Sequence, residues 1–347
     1  MNRAFDSPPS GIQQLPKIDL HRHLLGSARI KTLWELSKRN GVATGHGSLQ
    51  SLTRALVHES AASDLSEYIR PWMLFREIVQ RPEDIRRIAK EAAEDARLDG
   101  VLYVEFRSSL TGLPITEGGL PQTLIPSSDY LQSIQDGFAQ VTNIDCRLIA
   151  SVPRHVVGAA PASLMEKYAD KFYCTVKRFS QLVVGVDLTG VERGWPNSLF
   201  RDVFGEARAL GLPITIHAGE TEDPEHIWVA IDDLGATRIG HGTTAPSDSG
   251  LVSELIRRNI VLEVCPTSGW LTGSLKNPSR HPIINCAAPI PYVICSDNPT
   301  VNGTTLSREL YLAAQIARAQ ASSFITSQYQ LASQAAFSTL AEAPLNS

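Results

Sequence analysis

Short apolar runs recur along the chain at intervals long enough to hold a helix between them. The runs at 17–20, 101–106, 147–152, 183–188, 214–216, 238–239, 261–264 and 292–295 are rich in Val, Ile and Leu and predict eight strands. Between them the period changes. Ile85, Ile88, Ala92, Ala96 and Leu98 place an apolar stripe on one face of a helix over 82–98, and another helix is predicted over 198–210, before the break at Gly211, Leu212 and Pro213. Eight strands with helices between them predict an α/β fold, a (β/α)₈ TIM barrel. The chain has 347 residues, more than the ~250 typical of such a barrel. The surplus falls in two places. Residues 41–80, with amphipathic pieces at 52–57 and 65–75, are too many for one connection and predict a helical insertion after strand 1, placed as a lid over one barrel end. Helical stretches at 305–320 and 322–342 predict extra C-terminal helices. No turn-rich linker, repeat or low-complexity tract divides the chain, so residues 1–347 are read as a single domain.

Composition narrows the partners. The chain is 43% hydrophobic with a formal net charge of −4, so it has no large positive field to hold a nucleic-acid backbone or an anionic membrane surface. A small neutral substrate fits better. The first sixteen residues lack the apolar run of a signal peptide, and no later stretch is apolar for ~18 residues, so a soluble, cytoplasmic protein is expected. Five cysteines, scattered and never in a CxxC pair, argue against a disulfide framework and a thiolate zinc site, and most are expected to be buried small hydrophobes.

The polar residues that matter are those at the strand ends. His21 and His23 follow the first strand, and two residues apart in an extended chain they point to the same side. His217 follows the fifth strand and Asp297 the eighth. In a barrel these C-terminal ends converge on one face, where active sites are assembled from separate loops. Three histidines and a carboxylate suit a zinc ion while leaving a position open for water, as a catalytic site requires. His241, after the sixth strand, and Glu220, three residues beyond His217, add a base and an acid beside the same ion.

Six ordered blocks carry a resemblance: 16–24 around His21 and His23, 185–190 ending in Gly190, 217–220 from His217 to Glu220, 238–242 around His241, 265–268 from Cys265, and 296–299 around Asp297. Together they resemble the adenosine deaminase family of metal-dependent amidohydrolases. The resemblance implies one Zn²⁺ per chain on His21, His23, His217 and Asp297. It also implies Glu220 giving a proton to a purine ring nitrogen, His241 handling the attacking water, and the N–H of Gly190 meeting the purine N3. A raised Glu220 carboxyl is expected from that role. The H-x-E and P-C-x-x-C signature of the other zinc deaminases is absent, and strand four lacks the lysine that two-metal amidohydrolases usually carry there.

Two positions depart from the family's usual pattern. Leu25 stands where an acid commonly binds the sugar 5′-hydroxyl, and it cannot accept a hydrogen bond, which points to a substrate lacking a free 5′-hydroxyl. Asn298 stands where a second aspartate is frequent, and its amide can still meet a ring nitrogen. The expected activity is hydrolytic deamination of adenosine or a related 6-aminopurine nucleoside. The alternatives are a one-metal amidohydrolase acting on another amino-heterocycle and a non-catalytic binding protein. Other residues receive blander readings. His46, His58, His155, His226 and His281 are read as surface or capping histidines. Glu105 and Arg107 are read as a pair near the barrel mouth, and Trp34, Trp72 and Phe75 as packing residues, the last two with an option on walling the pocket. Asp187 is left without a role, and so is the oligomeric state.

Overall fold

The computed structural model describes residues 8–110, 125–159 and 162–339. Its strands are β1 (Lys17–His23), β2 (Val101–Ser109), β3 (Asp145–Pro153), β4 (Val183–Thr189), β5 (Ile214–Ala218), β6 (Arg238–His241), β7 (Val261–Val264) and β8 (Tyr292–Ile294). They pair in chain order, each parallel to the next. The expected barrel is therefore present. β8 returns to β1 just beyond its end, where Asp297 N–H donates to the His21 carbonyl at 2.8 Å and His23 N–H to the Asp297 carbonyl at 2.7 Å. The seam of the barrel thus runs through three of the residues singled out by their position in the sequence.

Local sequence explains the elements. All five residues of β5 are buried, as expected of a parallel strand covered on both faces. The helix Pro82–Leu98 opens with proline at its first position, and the Asp84 carboxylate accepts the N–H groups of Gln80 and Arg81 at 3.1 Å, satisfying donors left open at the helix start. Its buried face holds Ile85, Ile88, Ala89, Ala92, Ala93 and Ala96. Each buried isoleucine contributes roughly 1.5–3 kcal/mol. Leu98, expected on that face, is 66% exposed. It closes the last turn, where the chain has already begun to leave through Asp99 and Gly100.

Residues 41–80 form three short helices, Leu49–Leu56, Leu65–Tyr68 and Pro71–Ile78. The C-terminal helices are Leu306–Ala317 and Ala321–Ala335. The second is shorter than the expected 322–342, because Ala336 turns to extended geometry and Phe337 is held beneath the barrel. Positions 340–342 lie outside the described residues. No helix among the described residues is long and apolar enough to cross a membrane.

The barrel interior is ionic where many barrels stack aliphatic layers. Glu105, Arg107, Asp187, Arg238 and Glu263 are all buried inside it. Burying an ion costs several kcal/mol unless it is paired and hydrogen-bonded. Here the pairing is dense: Arg107 bridges Asp187 and Glu263, and Arg238 bridges Glu263 and Glu105.

Candidate metal centre and active site

The predicted residues meet at the C-terminal end of the barrel. Ligand-capable atoms of His21, His23 and Asp297 lie within 4.8 Å of one another, and so do those of His21, His217 and His241. The two triads share His21. Asp297 Oδ1 is 3.3 Å from His23 Nε2 and 3.7 Å from His21 Nε2. Two of these residues carry backbone strain: His241 has φ 65° and Asp297 φ 58°. Left-handed geometry costs a residue with a side chain roughly 1–2 kcal/mol, and such outliers gather at functional sites.

Carboxylates behind the histidines fix how the rings present themselves. His21 Nδ1 meets Glu263 Oε2 at 2.9 Å, and His217 Nδ1 meets Asp187 Oδ2 at 2.9 Å. A carboxylate at Nδ1 calls for the proton there, which leaves the Nε2 lone pair free to face the centre. His21 Nε2 is in fact buried with no hydrogen-bond partner. Burial pushes His21, His23, His217 and His241 well below the usual imidazole range, so all four rings are neutral, the form that binds metal. Burial also pushes the Asp297 carboxyl up to about 7, and a neighbouring cation would return it to the ionised form. An orphaned imidazole nitrogen, neutral rings and a carboxylate together fit a divalent metal of the zinc type. Cys265 Sγ also falls within reach of His241 and Asp297. Burial holds its thiol well above the ordinary value, so it is protonated and a poor ligand.

Glu220 lies 3.8 Å from His241 Nε2. Burial pushes its carboxyl well above the usual range, with the charges of Asp297 and Glu192 adding to the effect, as expected for a group that donates a proton. The loop that carries it is pinned from two sides. Glu192, itself buried, accepts the N–H groups of Gly219 at 2.7 Å, Glu220 at 3.0 Å, Thr221 at 3.1 Å and Glu222 at 3.4 Å. Arg154 donates to the His217 carbonyl and to Asn197.

Gly190, with φ 105°, ends the β4 segment beside His155. Asn298 Nδ2 donates to Asp297 Oδ1 at 2.6 Å and to Tyr68 Oη at 3.1 Å. A Cβ on Gly26 would stand 2.0 Å from Asn298 Oδ1, so only glycine leaves room for this amide. Leu25 is half-buried on the same turn. Tyr68 comes from the 41–80 segment, which therefore reaches the C-terminal end of the barrel.

Two expectations need correction. Glu105 pairs with Arg238 at the barrel floor rather than with Arg107, because Arg107, nearer the mouth, is engaged by Asp187 and Glu263. His281 is buried rather than at the surface, its Nδ1 accepting the Ile283 N–H at 3.2 Å. Phe75 packs in the core, as read, and from the same segment it is Tyr68 that touches the site residues. Asp187, Glu263 and Arg107 gave a usable signal: ionisable residues within the apolar runs of buried strands must be paired with something. Glu192 and Tyr68 gave none, since they sit in loop and helix sequences that look solvated.

A sequence model of the family described as "Adenosine deaminase" matches residues 16–343. This chain belongs to the adenosine deaminase family. Membership makes it a deaminase of the hydrolase class, built on the eight-stranded parallel barrel. It is 30% identical over 305 residues to the adenosine deaminase of Shewanella denitrificans, covering 86% of this chain and 87% of that relative. Among solved structures, an amidohydrolase from Burkholderia ambifaria with bound Zn superposes with a TM-score of 0.80 at 23% identity, covering 96% of this chain and 92% of that one. At that identity the likeness speaks for the fold. The Arabidopsis N6-mAMP deaminase superposes with a TM-score of 0.78 at 26% identity, covering 94% of this chain and 95% of that one.

Proposed function

We propose that the chain hydrolytically deaminates adenosine or a related 6-aminopurine nucleoside, releasing ammonia, with one zinc ion held by His21, His23, His217 and Asp297. The observation that carries this reading is the buried, unpartnered His21 Nε2 set among neutral imidazoles and a carboxylate, with an uncharged Glu220 alongside. When bound, the ion supplies Lewis-acid activation of water at neutral pH. His241 orients the attacking water and accepts its proton. Attack on the carbon bearing the amine moves electron density onto the adjacent ring nitrogen, and Glu220 donates its proton there as the charge develops. The amine then takes the proton held by His241, the C–N bond breaks to release ammonia, and the new hydroxyl returns a proton to Glu220, leaving the 6-oxo ring. The Gly190 N–H meets N3 of the ring, and the Asn298 amide, positioned by Tyr68, lies against its other side. Burial of the rings and carboxyls keeps bulk water from competing for these protons.

Leu25 sets the sugar end. With an alkyl side chain in place of an acceptor, the site favours substrates without a free 5′-hydroxyl. Another amino-heterocycle is the alternative substrate, and a structural neighbour named for N6-mAMP keeps it in view. The test is ammonia release and ultraviolet change over a panel holding adenosine, 5′-deoxyadenosine and other aminopurines. Activity on at least one member should vanish on chelation and return with zinc. Activity that persists in metal-free protein would overturn the reading.

A further inference from the structure

The floor of the barrel, opposite the metal centre, is closed by the last residue of the final helix and the two that follow it, Ala335–Phe337. Arg238, the first residue of β6, is buried there and every arm of its guanidinium is used. Nη1 donates to the Ala335 carbonyl at 2.7 Å, Nε to Glu263 Oε1 at 2.8 Å, and Nη2 to Glu105. The Phe337 ring lies over this guanidinium, 3.6 Å from Cζ to the ring centroid. The Phe337 N–H donates to Glu105 Oε1 at 2.7 Å. One short stretch of chain therefore holds both the arginine and the carboxylate beside it.

From Arg238 the contacts run upward without a gap. Glu263 takes Arg238 and Thr215 on Oε1, and Arg107 and His21 on Oε2. All four donors converge on one carboxylate, so its position is fixed by them jointly. Its contact with His21 Nδ1 is what turns the His21 lone pair toward the centre. Gly185 in β4 shows how closely the floor is fitted: a Cβ there would stand 2.6 Å from the Phe337 ring.

We propose that Ala335–Phe337 is a positioning element for the metal centre: by holding Arg238 and Glu105 it sets Glu263, and through Glu263 the orientation of His21 and the affinity of the site for its metal. The proposal rests on the metal-centre reading above. Phe337 and Gly185 touch no ligand, so changing them alters the supports and leaves the donors in place.

The test measures zinc affinity by competition with a chelator of known strength, and the visible spectrum of the cobalt-substituted protein. Wild type, Phe337→Ala, Phe337→Leu and Gly185→Ala are compared at a temperature where far-ultraviolet circular dichroism shows each folded. Phe337→Ala and Gly185→Ala should bind zinc at least about tenfold more weakly, the lower range for loss of an outer-shell support, and should shift the cobalt bands. Phe337→Leu keeps bulk without the ring face and should fall between; it and Gly185→Ala carry the test if the alanine variant does not fold. Wild-type affinity and unchanged cobalt bands in the folded variants, whatever their melting temperatures, would overturn the proposal. A wild type that takes up no zinc would overturn the metal-centre reading, and this proposal with it.

Discussion

The Glu220 carboxyl keeps its proton because of what surrounds it. It is buried, and the Asp297 and Glu192 charges nearby oppose its ionisation. A group raised in this way is protonated below its own pKa and loses the proton as pH rises through it, so turnover should fall on the alkaline side. Glu220→Gln keeps the shape and removes the transferable proton. Zinc should be retained while turnover drops at least ~100-fold and the alkaline fall disappears. Near-normal turnover with zinc in place would remove Glu220 from the chemistry. Leu25 decides a different question at the same scale. A buried 5′-hydroxyl facing leucine loses its water without replacement, at roughly 1–3 kcal/mol. Wild type should therefore prefer 5′-deoxyadenosine to adenosine in kcat/KM, and Leu25→Asp should shift preference back. If wild type favours adenosine by about tenfold, ~1.4 kcal/mol, Leu25 does not face the 5′ position.

Among the elements, the loop after β5 depends most on a residue outside itself. Four successive amides, from Gly219 to Glu222, converge on Glu192, and no repeating backbone structure provides them with other partners. An amide in place of that carboxylate offers one acceptor and turns two donors toward donors. Glu192→Gln should lower kcat by about 10- to 100-fold, in the range of a lost outer-shell support, with zinc content near that of wild type. Because the Glu192 charge helps hold the Glu220 proton, the alkaline fall in kcat should also move to lower pH. A kcat–pH profile superposable on that of wild type would show that Glu192 neither positions nor tunes the acid. The motif spacing brought out His217 at the end of β5 and Glu220 on this loop. It could not bring out Glu192, which is far away in sequence and carries no pattern of its own.

Across the whole molecule, stability responds to pH through groups buried neutral. Burial pushes His281 down to about 4, against the ~6.5 of an unfolded chain. Between these values the unfolded state binds the extra proton and the native state does not. Stability from this group is therefore fully present above about pH 6.5 and is lost as pH falls toward 4. From pH 7 to pH 5 the loss should be ~2 kcal/mol. His281→Asn should be less stable at pH 7 but should lose about that much less on acidification, read as urea midpoints at the two pH values. Equal acid losses in both proteins would place the pH sensitivity elsewhere, in the metal-centre histidines.

The apolar runs, the helical period and the placement of histidines at strand ends determined the barrel, its strand order and which histidines and carboxylates gather at its C-terminal end, because those properties follow from local spacing and from the convergence of parallel strands at one end. Tertiary structure decided what stands behind them. Asp187 behind His217, Glu263 behind His21, Arg238 paired with Glu105, Glu192 under the Glu220 loop and Phe337 beneath the floor are contacts between residues 27 to 242 positions apart. Such pairings are chosen by the cost of leaving a buried charge or donor alone, and that cost does not exist until the chain has closed around them.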